Sequence, residues 1–140
     1  MKARTFTVEE ANKLIPKIKN TFDDIFVSRK KIAFMKNEMD WIHDFWGKEL
    51  RDSDNPDGDR YDGLEDAIEN EQDKIQKKID GLQKNGCIVK DVAGLVDFYS
   101  IINNELVFLC WQYGEKSIQY WHPIGAGKGR RPFSKIDKIE

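Results

Sequence analysis

Residues 95–113 read LVDFYSIINNELVFLCWQY. Two runs rich in β-branched and aromatic residues flank Asn103-Asn104, a turn signal of the kind that joins antiparallel strands. They assign strands to Leu95–Ser100 and Glu105–Tyr113. A third strand, Ser117–His122, follows the turn Gly114-Glu115-Lys116, and a short one at Cys87–Lys90 joins an edge. Alternation places Leu106, Phe108 and Cys110 on one face of the middle strand and Val107, Leu109 and Trp111 on the other. Both faces are apolar. Helices should cover one, and the other needs a subunit, a ligand or the chain's own tail.

Upstream the period changes from strand to helix. Thr7 is a good N-cap and Glu10 completes a capping box, with Phe6 placed to staple onto Ala11. Ile18, Ile25, Ile32, Met39 and Trp46 recur every seven residues, with Phe22, Met35 and Ile42 between them. That spacing favours coiled-coil-like packing on another helix, although Arg29 and Lys36 interrupt the seam. Pro16 should kink or divide the helix near Ile15. Leu64, Ile68, Ile75, Ile79 and Leu82 share one face of a second helix, stopped by Gly86 at the C′ position. Pro56, Gly58 and clustered aspartates make the intervening stretch an exposed loop.

The expected fold is α+β, a long antiparallel helical hairpin packed on a small three- to four-stranded antiparallel β-meander. The expected layout is a single domain over 1–140: kinked helix 7–50, acidic loop 51–63, second helix 64–85, meander 87–122 and basic tail 123–140.

The net charge of −2 exerts no global pull toward nucleic acid or anionic membrane. Charge is nevertheless segregated. Lys48 to Asp73 holds eleven acids and three bases, and Lys128 to Lys138 holds five bases and one acid. Cys87 and Cys110 form no CxxC pair, which excludes a zinc ribbon and favours two buried thiols. The opening Met-Lys-Ala-Arg leads into a helical pattern without a signal-like apolar run, and no run is long enough to span a bilayer. The expected location is the cytoplasm, with no membrane association.

Several blocks, in order along the chain, carry a resemblance. They are Phe6-Thr7-Val8-Glu9-Glu10-Ala11-Asn12 through Leu14-Ile15-Pro16, Val89-Lys90-Asp91 with Gly94-Leu95-Val96-Asp97-Phe98, Leu109-Cys110-Trp111 with Gly114-Glu115, and Tyr120-Trp121-His122 with Gly127, Gly129-Arg130 and Pro132. Together they resemble a bacterial family catalogued as domain of unknown function 2203. The acidic loop and the second half of helix one carry no matching block. The resemblance implies a bacterial cytosolic protein whose recurrent motifs cluster in the sheet and tail, and it implies no activity.

Asp97 lies in an otherwise apolar strand, where a charge is costly unless paired. With Trp111, Glu115, Trp121, His122 and Arg130 it forms the candidate ligand-binding set, suited to orienting a small polar or anionic ligand. A structural pair, Asp97–Arg130 or Asp97–His122, would explain the same residues by pinning the tail to the sheet. A zinc site would need Cys110, His122 and carboxylates brought together by the fold, and with two histidines no multi-histidine site exists. No metal and no cofactor are therefore expected. Asp52 to Asp59 fails as a calcium loop: with Gly58 sixth, Ser53 is a poor first ligand and Leu64 stands where glutamate belongs. Gly125 to Arg130 fails the phosphate-loop spacing and lacks the following Ser or Thr, although such a turn can still hold an anion as a nest.

The favoured reading is a non-enzymatic ligand-binding or protein-interaction module using the sheet-and-tail surface, with a homodimer through the helices or the sheet face. An enzyme using His122 with Asp97 or Glu115 as acid and base is the alternative. RNA or ribosome association through Lys128, Arg130, Arg131 and Lys135 is a third reading, disfavoured by the acidic loop.

Overall fold

The computed structural model describes residues 4–124 and the backbone of 131–132. Helix α1 spans Val8–Trp46 and is followed by a 3₁₀ turn, Gly47–Arg51. Helix α2 spans Gly58–Lys84. Strands follow at Ile88–Asp91 (β1), Leu95–Ile102 (β2), Glu105–Gln112 (β3), Tyr120–Pro123 (β4) and Arg131–Pro132 (β5). Among the described residues they form one antiparallel sheet in the order β1-β2-β3-β4-β5. The fold is α+β. The chain divides into two compact units, one of residues up to Asp23 and from Ile79 onward, the other Asp24–Lys78.

In the first unit α1 begins with the capping box. The Thr7 N–H donates to Glu10 Oε1 at 2.9 Å and the Glu10 N–H to Thr7 Oγ1 at 3.1 Å. Those bonds hold the Glu10 carboxyl below its ordinary range, the Thr7 backbone donor first among the causes. Ala11, Ile15, Ile18 and Phe22 are buried at helical spacing. One face of the sheet, Val96, Phe98, Ser100, Ile102, Val107, Leu109 and Trp111, is buried with them. Phe6 meets Phe98 edge to face at 5.2 Å and Phe22 meets Trp111 at 6.1 Å. The backbone of Phe6 is stitched to β2, its N–H donating to Tyr99 O at 2.7 Å and its carbonyl accepting from the Ser100 hydroxyl. Asn12 Oδ1 accepts from the Ile118 N–H at 2.7 Å, tying α1 to the β3–β4 connection.

Pro16 does not divide α1, which runs unbroken through it. An interior proline removes a backbone bond and crowds the carbonyl four residues back, at about 3 kcal/mol, and burial of Ile15 and Ile18 on either side holds the segment in place. At the far end Gly86 adopts φ 94, with the Cys87 N–H on Leu82 O and the Gly86 N–H on Gln83 O, the paired bonds of a Schellman stop.

In the second unit the two helices run antiparallel, as three ion pairs record: Lys78–Asp24 at 3.1 Å, Lys31–Glu71 at 4.0 Å and Arg60–Glu38. Lys78–Asp24, exposed on both sides, contributes at most about 1 kcal/mol, whereas Glu71 is buried; the apolar stripe lies between the helices. Ile25, Ile42 and Ile68 are buried, and Ile32, Met35, Met39, Trp46, Leu64 and Ile75 are half-buried. The acidic connection is shorter than the expected 51–63, because α2 already starts at Gly58. Asp57 caps it: its carbonyl accepts the Tyr61 N–H at 2.9 Å, and its side chain accepts the Trp46 indole N–H at 2.8 Å. An aspartate at that position starts a helix despite Gly58 and Gly63.

Candidate functional site

The face of the sheet opposite Phe98 and Leu109 carries the polar cluster. The Asn103-Asn104 turn, both residues at positive φ (53 and 65), sets the hairpin register. Asp97 on β2 pairs with Cys110 on β3, and Phe108 on β3 pairs with His122 on β4. The His122 ring lies by Phe108 at 5.2 Å between centroids and reaches across β3. Its Nε2 lies within hydrogen-bonding distance of Asp97 Oδ2, at 3.2 Å. On its other side Nδ1 is 3.4 Å from the Pro123 carbonyl oxygen. Phe108 also meets Tyr99 at 4.9 Å, and the Lys90 ammonium lies 5.4 Å from the Phe108 ring centroid.

Asp97 is 2% exposed and Cys110 2%, while the His122 side chain is 14% exposed. Asp97 Oδ1 is buried and accepts no hydrogen bond among the described residues. A buried acceptor left without a donor costs about 1–3 kcal/mol. One oxygen of the carboxylate is therefore committed to His122 and the other is available.

The structure brings together Asp97 and His122 from the expected set, and places Trp111, Glu115 and Trp121 elsewhere. Trp111 is on the helix-facing side, wholly buried, with its indole N–H donating to Glu115 O at 2.8 Å. Glu115 closes the turn after β3 by accepting the Gln112 N–H at 2.6 Å. Trp121 pairs with Leu109 and so shares that residue's face, away from Asp97. Arg130 lies outside the described residues, as do Lys128 and Lys135 and the Gly125 to Arg130 turn; of Arg131 only the backbone is described. Sequence reasoning left Cys110 out of the site set although the turn contains the signal. Asp97 and Cys110 stand equally far from the turn, six residues before Asn103 and six after Asn104, so a two-residue hairpin must pair them.

No described helix is long and apolar enough to cross a membrane. Neither a curated protein nor a solved structure matches the chain. A family model described as "Uncharacterized conserved protein (DUF2203)" matches residues 4–133, from the strand-like entry at Thr5 through β5, and on that match the chain belongs to the DUF2203 family.

Proposed function

We propose that this protein is a binding module whose ligand seats on the outer sheet face at Asp97 and His122. The observation that carries the reading is the buried Oδ1 of Asp97, an ionisable acceptor that receives no hydrogen bond among the described residues. A site that retains so costly a group gains when a ligand brings an N–H, an O–H or positive charge to it. Phe108 and Tyr99 supply an apolar wall, and the His122 pair fixes the direction of the carboxylate. Native mass spectrometry of protein purified from its own host tests this. A bound species is expected on the wild type and is expected to be absent from Asp97→Asn, which keeps the shape of the side chain. Absence of any bound species from the wild type sinks the reading.

A second observation favours self-association. Val27, Phe34 and Trp41 are spaced seven apart on α1, yet they are 52%, 72% and 65% exposed. Phe45, 65% exposed, stacks on Trp41 at 5.6 Å. This second stripe lies beside the buried one and has the period of a helix–helix seam. Its two ends differ in charge: Lys30 and Lys31 lie before Phe34, and Glu38, Asp40 and Asp44 outnumber Lys36 after it. A second copy in antiparallel orientation would set each basic end against an acidic one, the self-complementarity of a two-fold interface. We infer a homodimer through this stripe. Sedimentation equilibrium should show a dimer in the wild type and a monomer in the double variant Phe34→Glu, Trp41→Glu. A wild type that stays monomeric at all accessible concentrations overturns it.

A further inference from the structure

We propose that the outer sheet face holds a zinc ion through Asp97, Cys110 and His122. The inference rests on the reading that this face is a binding site, and it names what binds. A carboxylate oxygen, the Cys110 sulfur and an imidazole nitrogen all lie within 4.8 Å of one another. Tetrahedral zinc with bonds of 2.0–2.3 Å sets its ligand atoms about 3.3–3.8 Å apart. The Asp97–His122 edge, at 3.2 Å, is already at that separation. The remaining edges, at up to 4.8 Å, need at most about 1–1.5 Å of closure.

The donor set selects the ion. One thiolate, one imidazole and one carboxylate form the borderline-soft combination that zinc accepts. Calcium and magnesium require six or more oxygen ligands and make no use of sulfur. Three protein ligands leave the fourth tetrahedral position for water or a small anion. The outer contacts agree. Pro123 O lies where Nδ1–H of His122 can donate, which leaves the Nε2 lone pair for the metal. In the metal-free protein Nε2 and Asp97 Oδ2 face each other at 3.2 Å. Zinc would enter between them with the imidazole proton on Nδ1, and Cys110 would release its thiol proton to solvent. The carboxylate would ligate through Oδ2, the oxygen that faces His122, and the ion would neutralise its charge. Cys87 offers a contrast. Burial pushes its thiol up to about 11, and it belongs to no three-donor cluster among the described residues.

Cobalt(II) is the probe, because it takes zinc geometries and a thiolate ligand gives it a near-ultraviolet charge-transfer band. Full-length protein stripped with a chelator is titrated with Co²⁺ and then with Zn²⁺. The expected result is the band saturating at one equivalent and bleached by Zn²⁺. It should survive Cys87→Ala and vanish in Cys110→Ser. His122→Asn should weaken binding at least about tenfold while circular dichroism stays native. No band in the wild type, or a band that survives Cys110→Ser, overturns the proposal. The host-purified mass spectrum separates the two failures. An organic species lost on Asp97→Asn, with no cobalt band, removes the metal and leaves the binding site standing. No bound species and no band removes both.

Discussion

Trp111→Ala will lower unfolding free energy by about 3–5 kcal/mol, the range for a large aromatic removed from a packed core. The side chain has no exposed surface. Its ring packs on Phe22 at 6.1 Å and on Tyr113, edge to face, at 6.2 Å. The substitution leaves a void that rigid strands cannot close. It also strands the Glu115 carbonyl, which accepts the indole N–H and forms part of the turn that delivers β4. Trp111→Phe keeps most of the volume and loses only the bond, so its cost should be about 1–2 kcal/mol. Urea denaturation of the three proteins measures both steps. A Trp111→Ala loss under about 1 kcal/mol would show that this tryptophan is not a core residue. The result also bears on function, because a core role is incompatible with Trp111 meeting a ligand on the opposite face.

Much of the architecture was legible because local chemistry and tertiary packing agree. Thr7 and Glu10 mark the start of α1, Gly86 marks the end of α2, and the seven-residue stripe marks the seam they share. Asn103-Asn104 marks the hairpin. Pro16 sits inside α1 without dividing it, because burial of Ile15 and Ile18 holds the turns on either side of the lost backbone bond. Gly58 and Gly63 mislead because the cap at Asp57 outweighs poor helix formers in the first turns. The site was half legible. Asp97 was conspicuous as a charge among apolar neighbours, and His122 as its partner. Trp111 and Trp121 share the small sheet with them, but strand parity assigns both to the other face. The same parity, continued through the turn, brings in Cys110.

Gly94→Ala should cost about 3 kcal/mol or more, by two separable routes. Gly94 sits at φ 108, a backbone conformation that L side chains rarely adopt. A Cβ there would also stand 2.5 Å from Tyr113 Cβ, an atom fixed to the backbone that cannot swing aside. Gly114 isolates the first route, since it has φ 101 and nothing within 4 Å of its would-be Cβ. Gly114→Ala should therefore cost only the backbone share, about 1–3 kcal/mol, and the difference between the variants measures the collision. The consequence reaches the site through register. The Tyr113 N–H donates to Gly94 O at 2.7 Å, one step beyond the Leu95–Gln112 pair, and so helps lock β2 against β3. Tyr113 is itself anchored, its hydroxyl donating to Asp23, which also accepts from Lys19 at 2.8 Å. Pushing Tyr113 off Gly94 loosens the end of the ladder from which Asp97 is three residues away. Ligand binding should therefore fall in Gly94→Ala and persist in Gly114→Ala. Equal stability of the two variants would show that the close approach of Gly94 to Tyr113 does not constrain the hairpin.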